Sequence, residues 1–588
     1  VHAAFAATAV PYAEAAFTTV AQAFDRYAHD WAAMRTDACE ATQLRHEQSA
    51  ELLDLRMSCL DDRLTQLGTL SDVYAAADAR VVEHANDWAA ALPGLAPCAD
   101  AVALRAPTPP PRDPEARRRV EAIRHDLARA HALGLALKAD EGLALVRAAE
   151  KEAEAVGYRP VEAEAQLRLG ELMQIKGDFA GAPAVLHRGL TAALASRADE
   201  IAADIAIASL EVDLHQSHFP DAERWADLAE ALASRLSRKD GRLGQIYTSR
   251  ANILRYESKL EPALVEAKRG LALLQKVYGP DDYRVALAWK ALALIYYYRT
   301  EYPPALDAYQ HALELQQRAL GPDHPRVVTA LIGIADVYGD SGDHDKAIAI
   351  YRQALDKQLR IDPNHQNVEL VYGNMSNDYL QLGRPREAYD LLQKSLERIK
   401  KRIGPSMEMV FALTNLGLAD VEMHKWNEAL DLSEQAMAMC EKLVGQNSLQ
   451  YGQALAGSAR AMQGLGRLEE ADALYHRTLA LDEKVLGPKH PELVVPLLGL
   501  GQVALLRGNP AAARAPLERG LVLTEGFAIL DVEACDYQLA LAKVEWASGN
   551  RARALELAQR AHAGYVKAGT RGKEGLAEAN AWLAAHHG

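Results

Sequence analysis

The stretch YPPALDAYQHALELQQRALGPDHP, residues 302–325, decides the fold. Pro303 and Pro304 open a helix, where the missing N–H has no intrahelical partner to lose. Gly321-Pro322 ends that helix, and Pro325 opens the next. Ala305 stands at the front of the stretch, and working outward from it uncovers a repeat. Equivalent alanines fall at Ala144, Ala182, Ala222, Ala263, Ala305, Ala347, Ala388, Ala429, Ala471, Ala513 and Ala554, spaced 38 to 42 residues apart. Gly177, Gly342, Gly383, Gly466, Gly508 and Gly549 stand five residues ahead of their alanine, where a turn between two helices calls for a left-handed backbone.

Two further series run in step with the first. Twelve residues before the alanines come Gly170, Leu210, Ala251, Ala293, Ala335, Ser376, Gly417, Ala459, Gly501 and Ala542, of which only Leu210 is large. Seven residues after them come Gly189, Ala229, Gly270, Ala312, Ala354, Ser395, Ala436 and Ala561. Small side chains at these places let two antiparallel helices approach closely and let the next hairpin nest against them.

These are the small-residue positions of the tetratricopeptide repeat, which the sequence resembles over about residues 117–570. The repeat here runs mostly to 41 or 42 residues, and the extra residues lengthen the second helix and its exit loop. The Gly-Pro-Asp-His-Pro spacer is similar to that of the kinesin light chain variety. The resemblance implies a helix pair per repeat and a concave groove for a protein or peptide. The expected fold is all-α: a solenoid of about eleven helical hairpins over residues 115–588, closed by a capping helix from Lys573 to His586.

Residues 1–105 lack the period and read as a small helical domain with helices at about 12–40, 42–68 and 71–92. The proline-rich stretch 106–114 reads as a stiff linker to the array. Cys39, Cys59 and Cys98 fall in this domain or at its edge. A second helix over 42–68 would carry Cys59 roughly 25 Å from its start, away from Cys39, whereas a returning third helix would bring Cys98 back. A Cys39–Cys98 disulfide is therefore feasible in an oxidising compartment, with three reduced, partly buried thiols as the alternative, and Cys39–Cys59 is excluded. Cys440 and Cys535 read as core thiols. The words YAHDWAAMRTDACEAT (27–42), RHEQSAELLDLRMSCLDDRL (45–64) and LPGLAPCAD (92–100) resemble the region following the membrane span in myxobacterial-type serine/threonine kinases. That resemblance implies the extracytoplasmic part of a receptor-like kinase. The chain starts at Val1 inside an Ala-rich helical pattern and reads as a piece of a longer protein, although it contains no kinase domain, membrane helix or initiating Met.

Composition bounds the rest. A formal charge of -15 argues against nucleic acid, whose phosphates want a basic face. The one basic cluster, Arg117 to Arg119, is flanked by Glu115 and Glu121 and reads as a solvated helix start. No run of 18 apolar residues exists to span a membrane. There is no phosphate-binding glycine loop, Cys-x-x-Cys pair or His-Glu-x-x-His helix, so neither cofactor nor metal nor catalytic site is expected. His324 and His490 recur at loop starts and read as local caps. Function is sought on the groove side of the first helices. The candidate peptide-binding residues there are Asn252, Arg255, Lys290, Tyr297, Asp336, Asn374, Asn377, Asn415, Arg460 and Gln502. Asn is a poor helix former, so its repeated use inside helices points to its amide, which can clamp an extended backbone or bridge neighbouring helices. The expected function is a non-catalytic protein-binding scaffold, the sensor or docking region of a membrane-anchored kinase on the extracytoplasmic side. The alternative is a cytoplasmic adaptor that binds protein cargo in its groove.

Overall fold

The computed structural model describes residues 1–90, 92–104, 108, 111–135, 139–236, 241–524 and 531–586. Among them no strand occurs, and the fold is an all-α tetratricopeptide-like solenoid of helical hairpins. The chain divides into two compact units, Val1–Ala330 and Leu331–Gly588.

The first unit opens with α1 (His2–Ala7), α2 (Ala13–Gln43), α3 (Ala50–Ala75), α4 (Ala79–Ala90) and the short α5 (Ala101–Leu104). Five hairpins follow: α6 (Pro114–Leu135) with α7 (Ala139–Val156), α8 (Arg159–Ile175) with α9 (Ala182–Ala195), α10 (Asp199–His215) with α11 (Phe219–Arg235), α12 (Arg242–Tyr256) with α13 (Leu260–Tyr278), and α14 (Ala286–Tyr298) with α15 (Tyr302–Leu320). Helix α16 (Pro325–Asp340) contains the division. The second unit continues with α17 (His344–Ile361), α18 (Asn367–Gln381), α19 (Pro385–Arg402), α20 (Met407–Glu422), α21 (Trp426–Leu443), α22 (Leu449–Gly464), α23 (Leu468–Leu486), α24 (Val494–Leu506), α25 (Pro510–Leu523), α26 (Asp531–Ala547), α27 (Arg551–Ala568) and α28 (Lys573–His586).

The alanines from Ala182 to Ala554 lie in the opening turns of the second helices, and all ten are 0% exposed. Buried alanine at this place is what lets the hairpin close. In the first hairpin the position belongs to Gly142 and not to Ala144, which is exposed. A Cβ on Gly142 would stand 2.9 Å from the carbonyl of Ala130. Ala130, twelve residues earlier, and Ala149, seven later, supply the other two small residues, both buried. The outsized Leu210 is 1% exposed and shares a core with the small Ala226 and Ala229 of α11.

The turn five residues before the marker is left-handed with or without glycine. Gly342 has φ 89° and Gly466 φ 74°, while Ser217, Ser258, Thr300 and His424 hold φ between 58° and 60° at the same place. Repeat geometry therefore overrides the preference of four non-glycine residues. The histidines at the loop starts act as caps. Nδ1 of His324, His365 and His490 accepts the backbone N–H two residues on, at 3.1, 3.1 and 3.2 Å.

The helices before the array form their own core. Phe5 of α1, an element absent from the sequence expectation, is fully buried with its ring 5.6 Å from that of Tyr74. Tyr74 donates to the carbonyl of Ala85 at 2.5 Å, and Trp31 Nε1 donates to that of Leu60 at 2.7 Å. The Cys39–Cys98 disulfide that the sequence made feasible is not formed. Cys98 pairs with Cys59 across a Cα separation of 5.4 Å, and Cys39 is free and exposed. Two shifts in the helices account for the difference. Helix α3 begins at Ala50, so Cys59 lies only about 14 Å along it. Helix α4 has 12 residues and is too short to carry the chain back to the start of α3. Cys440 and Cys535 are free and buried. Of the linker 106–114, residues 106, 107, 109 and 110 lie outside the described residues. Thr108 is tied down on both sides, donating to the carbonyl of Ser196 at 2.9 Å and accepting from Tyr158 at 3.1 Å.

Candidate functional site: the wall of first helices

Each hairpin has a first and a second helix, and the two differ in their neighbours. First helices pack side by side along the stack, α6 with α8, α10 and α12 in turn, and α12 with α14 in the first unit. The same holds for α18, α20, α22, α24 and α26 in the second. Second helices show no comparable pairing among the described residues. The first helices thus form one uninterrupted wall within each unit.

In the first unit the wall carries Asn252 and Arg255 on α12 and Lys290 and Tyr297 on α14, all half-buried. The Arg255 guanidinium stands 4.0 Å from the ring centroid of Tyr256 and 5.2 Å from that of Tyr298. Tyr297 meets Tyr298 edge-on at 5.4 Å, and Tyr298 is exposed. Neighbouring first helices therefore build a patch of one cation and three phenol rings, a surface suited to stacking. Burial, reinforced by the nearby Arg326, pushes the ammonium pKa of Lys290 down.

In the second unit Asp336, Asn374 and Asn377, Asn415, Arg460 and Gln502 lie on α16, α18, α20, α22 and α24 respectively. They divide by bonding. Asp336 accepts from Tyr351 Oη and from Asn374 Nδ2, the latter at 2.9 Å, so this amide joins two first helices. Burial pushes the Asp336 carboxyl up to about 6, against both hydrogen bonds. Gln502 accepts from Gln463 at 3.1 Å, which accepts in turn from Tyr475 at 2.9 Å. The side chains of exposed Asn377 and half-buried Asn415 make no hydrogen bond to another described residue, and both amides are open to a ligand.

Several groups on the wall escaped the sequence reading. Leu287, Leu370 and Phe411 are 54%, 49% and 45% exposed, and each stands eighteen residues before its marker alanine. That recurrence was the available signal. The buried pair His344 and Asp378, joined at 2.7 Å, carried none, since neither position repeats. Asp536 on α26 accepts from Tyr565 at 2.6 Å, and burial pushes its carboxyl up to about 7. No group of three metal-capable side chains occurs among the described residues.

Comparison with known proteins agrees with this geometry. The tetratricopeptide repeat family matches residues 242–318, 284–359, 367–442 and 450–523. The Arabidopsis thaliana protein KINESIN LIGHT CHAIN-RELATED 2 is 30% identical over 137 residues, which is 22% of this chain. The chain spans 20% of the length of that relative. Among solved structures, a putative kinesin light chain with nearly identical repeats from Podosopora anserina is 21% identical, with a TM-score of 0.31, covering 35% of this chain and 96% of the other. A Rap protein complexed with Competence and Sporulation Factor is 15% identical, with a TM-score of 0.45, covering 63% and 99%. Residues 242–359, 367–442 and 450–523 of this chain are tetratricopeptide repeats with similarity to those of kinesin light chains.

Proposed function

We propose that the wall of first helices within each unit holds an extended peptide segment of a partner protein, its backbone clamped by Asn252 in the first unit and by Asn377 and Asn415 in the second. The observation that carries the reading is the contrast among the amides. Asn374 is bonded to Asp336 within the protein, while Asn377 and Asn415, on adjacent first helices, are not. An amide offers donors and an acceptor at once, so two of them a repeat apart can hold a peptide backbone without reading its side chains. Arg255, Lys290 and Tyr297 in the first unit and Arg460 in the second then grade the sequence preference along their own walls, while Asp336 and Gln502, bonded within the protein, hold the neighbouring first helices in place. The test is selection of displayed random peptides on the full chain. Selected peptides are expected to lose at least tenfold in affinity to Asn377→Ala/Asn415→Ala at unchanged melting temperature. Unchanged affinity overturns the reading.

The setting that best suits such a scaffold is the extracytoplasmic side of a bacterial membrane, as the sensor or docking region of a serine/threonine kinase. The Cys59–Cys98 disulfide supports it, because such bonds persist in oxidising compartments. A cytoplasmic adaptor for protein cargo is the second reading, favoured by the kinesin light chain similarity. Maleimide labelling of protein taken from its native host separates them: Cys59 and Cys98 blocked until reduction supports export, and free labelling of both supports the cytoplasm.

A further inference from the structure

The edge of the array where the second helices end is covered in the first unit and bare in the second. Fifteen residues after the marker alanine, α15 carries Leu320, which is 1% exposed. Helix α2 packs on α15: Thr19 donates to the carbonyl of Ala319 at 2.6 Å, and a Cβ on Gly321 would stand 2.8 Å from that of Ala15. At the same repeat position the second unit has Ile403 and Val444, 43% and 52% exposed. One residue earlier in their repeats lie Leu443 and Val485, 44% and 41% exposed. Ile403 and Val444 hold one repeat position in the consecutive hairpins α18/α19 and α20/α21, and in α22/α23 the exposed residue is Val485, one place earlier, beside the half-buried Leu486.

The charges around this row have one dominant sign. Lys400, Lys401, Lys442 and Lys484 are exposed beside it, and none has a carboxylate partner among the described residues. The acids interleaved with them are engaged, Glu441 by Gln446 at 2.8 Å and Glu483 by Arg519 at 2.6 Å. The covering helix of the first unit has complementary chemistry. Along α2, Tyr12, Ala13, Ala16 and Val20 form a buried stripe beginning at the residue before the helix. Glu14, Asp25, Asp30, Asp37 and Glu40 are exposed on the same helix, against Arg26 and Arg35. In the folded chain Glu14 is paired with His2, Asp37 with Arg45 and Arg56, and Glu40 with Arg45. That leaves Asp25 and Asp30 unpaired on α2 among the described residues, and all five are released in a separate peptide.

We propose that the second-helix edge at Ile403, Val444 and Val485 docks an acidic amphipathic helix of a partner protein, as α2 is docked in the first unit. The apolar row takes the buried stripe and the lysines meet the carboxylates. This surface is separate from the wall of first helices, so it stands or falls independently of the peptide reading.

The probe is a fluorescein-labelled peptide of residues 10–43 of this chain with Cys39→Ser, titrated with the full chain, whose own α2 already covers the first-unit edge. Saturable binding is expected, weakening at least tenfold in Ile403→Glu/Val444→Glu and severalfold in Lys400→Glu/Lys401→Glu, with circular dichroism unchanged. Raising the salt is expected to weaken it further, since exposed charges are screened. Absence of saturable binding, or binding that neither variant moves, overturns the proposal. So does co-sedimentation with phosphatidylserine vesicles in place of peptide binding, which assigns the face to a membrane. Self-association abolished by Val444→Glu, again in place of peptide binding, assigns it to a second copy and likewise overturns the proposal.

Discussion

The first unit borrows part of its stability from helices outside the repeat, whereas the second is built from repeats alone and closed by α28. In the first, α2 and α4 lie against the loops between hairpins. Asp87 of α4 grips Arg326 with both carboxylate oxygens, at 2.7 and 2.5 Å, and the carbonyls of Glu83 and Asn86 accept from His324 and Tyr283 at 2.9 and 2.8 Å. All three α4 residues belong to the loop closed by Cys59–Cys98. In the second unit the matching His365 and His490 are half-buried where His324 is 2% exposed, and carboxyls held out of water sit on the wall. The difference teaches that the same hairpin can present its loops as an internal interface or as free surface, depending on what the chain supplies beside it.

The largest effect expected from breaking this contrast comes at Tyr74, which is fully buried and bonded to α4. Tyr74→Ala is expected to destabilise the first unit by about 3–5 kcal/mol. In hydrogen exchange, α4 and the loop around His324 then lose protection while α18–α27 keep theirs; uniform loss across both units would contradict the contrast.

Buried groups in the two units are next expected to respond to pH with opposite signs, His324 in the first and Asp536 and Asp482 in the second. Burial lowers His324 to about 4, and its Nδ1 accepts from Arg326 N–H, so the folded form is the neutral tautomer with Nε2–H facing the Glu83 carbonyl. The unfolded state takes up this proton first, so stability is lost as pH falls from about 6.5 towards about 4. Asp536, raised to about 7, and Asp482, raised to about 6, act the other way: they favour the fold below ordinary carboxylate pKa values and oppose it as pH rises through 6 to 7. Between pH 8 and pH 5 His324 is expected to take roughly 2 kcal/mol from the first unit and Asp536 to add roughly 2–3 kcal/mol to the second. Hydrogen exchange at the two pH values checks this, and Asp536→Asn is expected to flatten the response of the second unit.

A smaller effect is expected from the ion pair. A double-mutant cycle on Asp87→Ala and Arg326→Ala should return a coupling of about 1 kcal/mol, because both side chains keep some solvent contact. The smallest change is a gain. Thr300→Gly in the first unit and His424→Gly in the second relieve left-handed residues at φ 58° and 59°, and each is expected to stabilise its unit by ~0.5–1 kcal/mol in urea unfolding.

The solenoid was legible because every hairpin has to close on the same small residues. Ala305 and its counterparts are buried for a local reason, helix against helix within one repeat, and so they leave a regular mark. The mark blurred only where a different small residue did the same work, as Gly142 does ahead of Ala144. The wall positions were legible as places, since they follow from the same count, but their bonding was not. Asn374 and Asn377 look alike in the chain, yet only the first has Asp336 opposite it.

Periodicity therefore determined the helices, their pairing and the face each presents, all consequences of contacts between residues close in sequence. Partners distant in the chain were decided by tertiary packing alone. Cys98 found Cys59 and not Cys39 because α4 is short. Ile403 and Val444 share the repeat position of buried Leu320, and what sets Leu320 apart is the helix α2 that lies on it. Such pairings depend on where whole helices start and stop, and a shift of a few residues, invisible to a repeat count, is enough to change them.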